Sequence, residues 1–277
     1  MQSPKPITDH EIIKAIQCIN SNSAPGLDGT TNNLIKKCAT TLLPYLNYLF
    51  NSILFTQVFP AAWKRALIIP FSKKSNVNNI DNYHPISLLP SLSKLFESII
   101  NVHLYHFLEN NKLLSDTQFG FRWNNSTMAN LIQFTNYINA IMSKTTDLHS
   151  IMIDFKKAFD SVSHIILLRK LADYNINQFY RGVINSYLSG HEQQTFCNNC
   201  ISTATKITSG VPQGSILAPT LFIIYINNIA ENITCNISLY ADDVKLFASI
   251  RHMNSEEDIA NFQSNINRIQ NWSSVNK

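Results

Sequence analysis

The sequence predicts an α+β chain, with a helical region reaching to about residue 147 and then a small antiparallel sheet flanked by helices. Three observations predict it. Apolar residues recur at helical spacing through 91–110 (Leu92, Leu95, Phe96, Ile99, Ile100, Leu104, Phe107 and Leu108), and 127–143 repeats the pattern. The short runs 237–241 and 244–250 are rich in β-branched and aromatic residues and read as strands, and 148–153 reads as a third. The chain has 277 residues, 45% of them hydrophobic, which is enough for a sizeable core in one or two closely packed domains.

The elements follow in order. Thr8-Asp-His-Glu11 has the form of a capping box and opens a helix through about Asn20. Ala24-Pro-Gly-Leu-Asp-Gly29 is a compact turn, with helical segments expected at 30–40 and 43–56. Ala66–Phe71 is a short apolar strand. Lys73 and Lys74 follow it on a polar loop, and Asn82-Tyr-His-Pro-Ile-Ser-Leu-Leu89 comes next. The strand at Leu148–Ile153 ends at Asp154, and a loop carries Phe155–Ser161 into a helix from about His164 to Tyr174. Thr-rich alternation over 193–209 suits a hairpin, Gly210-Val-Pro-Gln-Gly214 a turn, and roughly 215–229 a long apolar helix. The segment 255–272 is amphipathic, with Ile259, Phe262, Ile266, Ile269 and Trp272 on one face.

Bulk properties exclude several classes. A net charge of +4 with only 14% charged residues is mildly basic, which permits nucleic acid without requiring it. Five scattered cysteines, an odd number, give no disulfide framework, and Cys197-Asn-Asn-Cys200 lacks the second ligand pair of a zinc site. The first residues lack the apolar stretch of a secretion signal. The longest apolar run, Ile216–Ile226, is too short and interrupted to span a bilayer. An intracellular protein, nuclear or cytoplasmic and without a membrane partner, is the expectation.

The chemistry centres on Leu239-Tyr-Ala-Asp-Asp-Val244. Two strands joined by two polar residues would place Asp242 and Asp243 at a hairpin tip. Adjacent like charges at ~4 Å cost about 1 kcal/mol in water and roughly 4 at an effective dielectric near 20. A divalent cation removes that cost, and hard oxygen ligands suit Mg²⁺; an ordinary Asp turn is the plainer alternative. Asp154, at the exit of another strand, supplies a third carboxylate. One strand-end Asp beside an Asp-Asp hairpin is what two-metal phosphoryl transfer requires. Asp160 and Asp173 are nearby alternatives. Asp160 ranks lower because it reads as a helix cap.

Taken together, these segments resemble a known family. Ile153-Asp-Phe-Lys-Lys-Ala-Phe-Asp-Ser-Val162, Gly210-Val-Pro-Gln-Gly-Ser-Ile-Leu-Ala-Pro219 and Tyr240-Ala-Asp-Asp243 look like three palm motifs of reverse transcriptases, in order and at plausible spacing. Asn82–Leu89, Gln118-Phe-Gly-Phe-Arg122 and Ala24–Gly29 resemble the upstream finger motifs. The set is similar to non-LTR (LINE-type) retrotransposon polymerases more than to retroviral ones.

The resemblance implies a right-hand polymerase fold, with fingers over 1–147 and palm over 148–277, stopping before the primer grip and thumb. It implies RNA-directed DNA polymerisation with an RNA template, a DNA primer and deoxynucleoside triphosphates; it leaves the oligomeric state open. Asp154, Asp242 and Asp243 become ligands of two Mg²⁺ ions, which Mn²⁺ could replace, with the Phe155 carbonyl as an extra ligand. Phe159 becomes a steric gate against a 2′-hydroxyl, Gln213 and Gly214 line the nucleotide pocket, and Lys73 and Lys74 lean over the triphosphate. Arg122 contacts template or nucleotide, and Tyr240 lies near the primer end. For each of these positions the plain alternative is packing, a turn or a solvated ion pair.

Three departures carry weight. His84 stands where the family usually has Arg, and an imidazole offers neither the permanent charge nor the fork of donors that grips a triphosphate. Trp123-Asn-Asn-Ser-Thr127 replaces a common Lys-Gly-Arg-Ser-Thr, removing two positive charges near nucleic acid. The third is the stop before the next palm motif. Together they imply weakened activity. A non-catalytic nucleic-acid-binding remnant and an inert scaffold stay open as alternatives.

Overall fold

The computed structural model describes residues 3–72, 83–141, 146–251 and 255–276. Lys73 and Lys74 lie outside the described residues. The chain opens with α1 (Asp9–Cys18), closed at its start by the expected capping box: Thr8 N–H donates to Glu11 Oε2 (2.8 Å) and Glu11 N–H to Thr8 Oγ1 (3.3 Å). Next come α2 (Asn32–Lys37) and α3 (Ala39–Thr56), separated by a break at Cys38 rather than by the wider gap the sequence suggests. Helix α4 (Ser91–Asn110) has the bounds its periodicity predicts, and α5 (Thr127–Ile141) nearly so.

Two sheets organise the rest. In the first, β1 (Arg65–Ser72) pairs antiparallel with β2 (Tyr83–Leu88) and parallel with β4 (Glu192–Cys197); β5 (Cys200–Ile201) and β6 (Thr205–Lys206) attach to β4. The hairpin expected within 193–209 therefore forms, but its first strand also docks on β1, a parallel pairing that no local pattern reports. Asn198 and Asn199 both take left-handed φ between Cys197 and Cys200, so this segment is a tight hairpin turn, and all five cysteines are free thiols.

In the second sheet, β8 (Asp243–Arg251) lies between β3 (Thr146–Asp154) and β7 (Asn236–Tyr240), antiparallel to both. One face carries Val244, Leu246, Leu239 and Ile237 into the core. On the other, α5 covers part of the sheet: Phe134 and Tyr137 meet Phe247 edge-on, and Tyr137 Oη accepts from Ser249 N–H. The end beyond α5 carries the aspartates.

The remaining helices are α6 (His164–Asp173), which packs on α7 (Gln178–Leu188) and α8 (Ala218–Ile226), and α9 (Ser255–Val275), which packs on β8. α7 buries Val183, Ile184, Tyr187 and Leu188 on one side, an amphipathic spacing the sequence reading passes over. α8 is apolar all round and buried all round. It is shorter than 215–229, because residues 227–230 tighten into a 3₁₀ turn. One continuous core runs from Ile7 to Ile269, so the regions before and after residue 147 share it. Among the described residues no helix is long and apolar enough to cross a membrane.

Candidate active site

The Asp-Asp hairpin differs by one residue from its expected register. The two-residue turn is Ala241–Asp242, and Asp243 is the first residue of β8, with Tyr240 and Asp154 as its neighbours across the two ladders. The correction matters. As a central-strand residue, Asp243 faces Asp154 directly, whereas two tip residues would both hang free. Opposed residues of an antiparallel pair share a face and bring their Cβ atoms to about 4.5–5.5 Å. Asp154 and Asp243 are exposed and Asp242 is half-buried. Burial pushes the Asp242 carboxyl above its ordinary range, and the charges of Asp243 and Asp154 push it further, against a lowering contact from its own backbone. The three carboxylates thus feel one another.

Among the described residues no group of three or more His, Cys, Asp or Glu is drawn together enough to enclose an ion as it stands. The donor set nevertheless fits Mg²⁺ or Mn²⁺: three carboxylates and no softer ligand, two of them directly opposed across a ladder. The backbone of Phe155 is next to Asp154, and its ring meets Trp272 at 6.0 Å.

The loop after β3 folds against the Gly210–Gly214 turn. Gly210 N–H donates to Val162 O (2.8 Å) and Val211 N–H to Phe159 O (2.9 Å). Phe159 stacks on Phe222 of α8 (4.5 Å between centroids, 14° between planes) and meets Phe121 edge-on at 6.1 Å, so its ring is fixed from two sides. Asp160 does not cap α6, whose N-cap position is Ser163. Its Oδ1 accepts from Gln213 Nε2 at 3.0 Å, which occupies the amide expected to meet the nucleotide. Gly214 has φ +109, and a Cβ there would stand 2.7 Å from Ser87 O. The glycine thus permits the close approach of β2, which is also tied to the turn by Ser87 N–H donating to Gln213 O (3.0 Å).

Of the other expected residues, Tyr240 alone is a ladder neighbour of a carboxylate, Asp243. Arg122 is braced internally: Nε and Nη2 donate to Glu109 (3.0 and 2.9 Å) and Nη1 to Ser115 O (2.8 Å), with 12% of its side chain exposed. This is the ion-pair alternative, with the difference that the pair is largely covered. Tyr240 is 36% exposed on the aspartate face. His84 pairs through its backbone with Phe71.

With this geometry in hand, comparison with known proteins is informative. The family model described as reverse transcriptase (RNA-dependent DNA polymerase) matches residues 72–277. The chain belongs to the reverse transcriptase family. It is 33% identical over 254 residues to the probable RNA-directed DNA polymerase from transposon BS of Drosophila melanogaster, covering 88% of this chain and 28% of that protein. It is 32% identical to the probable RNA-directed DNA polymerase from transposon X-element of the same species, again covering 88% and 28%. The RNA-directed DNA polymerase from mobile element jockey of Drosophila funebris is 31% identical over 277 residues, covering 96% and 30%. The likeness to non-LTR, LINE-type reverse transcriptases drawn from the motifs holds. The chain spans under a third of the length of these relatives.

Within the reverse transcriptase motifs, the structure adds one residue that sequence reasoning missed. Glu97 on α4 is fully buried and accepts from Ser93 Oγ (2.7 Å), Ser215 Oγ (2.5 Å), Ile216 N–H (3.0 Å) and Leu217 N–H (3.4 Å). It holds the backbone that leads from the Pro-Gln-Gly turn into α8. Burial raises its carboxyl above the ordinary range despite these donors. Its one signal in the sequence is a lone acid among Leu95, Phe96, Ile99 and Ile100.

Proposed function

We propose that this chain performs RNA-directed DNA synthesis, adding deoxynucleotides to a primer 3′-hydroxyl on an RNA template, with Asp154, Asp242 and Asp243 holding two Mg²⁺ ions. The observation that carries the reading is the ladder position of Asp154 opposite Asp243, with Asp242 in the adjoining turn, its carboxyl raised by burial and further by both neighbouring charges. When bound, the ions supply an acidified primer hydroxyl and neutralise the triphosphate and leaving pyrophosphate.

The chain's own residues do the positioning. Two opposed carboxylates and a third in the adjoining turn repel one another until a cation neutralises them, which makes the site ion-seeking. The Phe159 ring, held by Phe222 and Phe121, is rigid enough to exclude a 2′-hydroxyl. Gln213, steadied by Asp160, forms one wall of the nucleotide pocket. Tyr240 shares the carboxylates' face and supports the primer end. We read 1–147 as fingers and 148–277 as palm, packed on the common core.

Primer extension with Mg²⁺ and deoxynucleotides, comparing the chain with its Asp242→Asn variant, tests this. Extension is expected from the unaltered chain and a loss on the order of 10²-fold or more from the variant. RNA binding without extension, indifferent to Mg²⁺, would identify a non-catalytic binding protein instead. His84→Arg is expected to improve nucleotide use by about ten- to a hundred-fold, the worth of a charge-assisted hydrogen bond of about 1.5–3 kcal/mol. No gain would remove that position from the triphosphate site.

A further inference from the structure

The Gln118-Phe-Gly-Phe-Arg122 segment lies beside β7 as an extra half-strand. Phe119 N–H donates to Leu239 O (2.8 Å) and Leu239 N–H to Thr117 O (2.9 Å), a parallel bridge centred on Gln118 and Leu239. Gln118 itself is 1% exposed. Its Oε1 accepts from Ala241 N–H (3.0 Å) and from Gly120 N–H (2.8 Å), and its Nε2 donates to Ala241 O (3.4 Å). One buried amide therefore grips both polar groups of the first residue of the aspartate turn.

That residue needs gripping. Ala241 sits at φ +57, a left-handed conformation that an alanine adopts rarely. It is buried, and a Cβ on Gly120 would collide with its backbone nitrogen. Asp242 and Asp243 follow it directly, so the direction in which Asp242 projects, and the start of the ladder that sets Asp243 against Asp154, depend on this one peptide.

We propose that Gln118 is a positioning residue for the metal-binding carboxylates: its side-chain amide fixes the strained Ala241 peptide, with Gly120 providing the clearance, and so aims Asp242 and Asp243 at the ions. The inference rests on the polymerase reading for its catalytic consequence but not for the clamp itself. Partners that orient metal ligands usually matter about ten- to a hundred-fold in metal affinity or activity.

Two variants test it: Gln118→Met, which keeps length and loses both hydrogen-bonding functions, and Gly120→Ala, which displaces Ala241 while leaving the amide in place. In both, the Mg²⁺ concentration for half-maximal primer extension is expected to rise about ten-fold or more, with the KM for template-primer unchanged within about two-fold. Amide hydrogen exchange is the second readout and needs no activity. Exchange at the Ala241 N–H should speed up about ten-fold or more, while the amides of the β3–β8 ladder hold. Unchanged Ala241 exchange in Gln118→Met, or reduced extension with an unchanged Mg²⁺ requirement, overturns the proposal. Should the unaltered chain fail to extend primers at all, the polymerase reading falls, and the exchange result still decides whether the clamp exists.

Discussion

Two turns frame the candidate site, and they are built on opposite principles. The Ala241–Asp242 turn puts charge outside and a neutral amide, Gln118, inside. The Pro212–Gly214 turn leads the other way, into Ser215 and a buried charge-capable group, Glu97, which ties α4 to the start of α8. Under the proposed function the first turn has to leave its carboxylates free for a cation, so a charged brace would compete with that role. At the second, the acid's oxygens are taken up by the hydroxyls of Ser93 and Ser215 and by the N–H groups of Ile216 and Leu217 leading into α8. The lesson is that a buried acid and an exposed one in the same molecule answer to different partners, and burial alone does not separate structural from chemical roles.

The largest expected effect comes from removing the buried acid. Glu97→Leu takes the acceptor from two hydroxyls and from Ile216 N–H, each worth about 1–3 kcal/mol when unsatisfied, while Leu217 N–H keeps Ser215 Oγ at 3.1 Å, and should destabilise the fold by about 3 kcal/mol or more. Denaturant unfolding midpoints measure it, and a loss below about 1 kcal/mol would mean the network is not what secures α8.

A smaller effect concerns pH. The Glu97 carboxyl is raised in the fold above its ordinary value of 4.5, chiefly by burial. Between those two values the folded state holds a proton that the unfolded chain has released. Stability from this group is therefore full at low pH and declines as pH rises through the folded value. Glu97→Gln should flatten this slope, read as the change in thermal midpoint as pH rises from the ordinary carboxylate value of 4.5. An identical slope in both proteins would sever the pH response from Glu97.

The smallest expected effect lies at the other turn, and its sign is opposite. Without divalent cation, Asp243→Asn should stabilise the chain by about 0.2–1 kcal/mol, because it removes a like charge opposite Asp154. Mg²⁺ should raise the melting temperature of the unaltered chain and not that of the variant. A destabilised variant in the absence of metal would show that Asp243, like Glu97, serves packing first.

Much of this was legible along the chain. The helices α4 and α9 and the strands β3, β7 and β8 each carry a period that local sequence displays. The capping box at Thr8 and Glu11 closes as read. Asp154 as a strand-end acid and Asp242–Asp243 as a hairpin follow from short apolar runs meeting acidic residues. Less legible were the partners of Arg122, expected at template or nucleotide with an ion pair as the plain alternative and found bound to Glu109, and of Asp160, read as a cap and found holding Gln213. In both, the partner that decides the role lies in another element, and no spacing rule reaches it.

The sequence by itself determined the family, the set of acidic residues and the α+β pattern, because motif order and hydrophobic period are properties of neighbours in the chain. Only the tertiary structure decided that Asp243 stands in the ladder opposite Asp154, that β4 joins β1, and that Gln118 and Glu97 brace the two turns. Those facts depend on strand register and on hydrogen bonds between residues more than a hundred positions apart for both braces, such as Gln118 with Ala241 and Glu97 with Ser215. Such pairings are fixed by burying one shared core and satisfying every polar group within it, a condition on the whole chain at once.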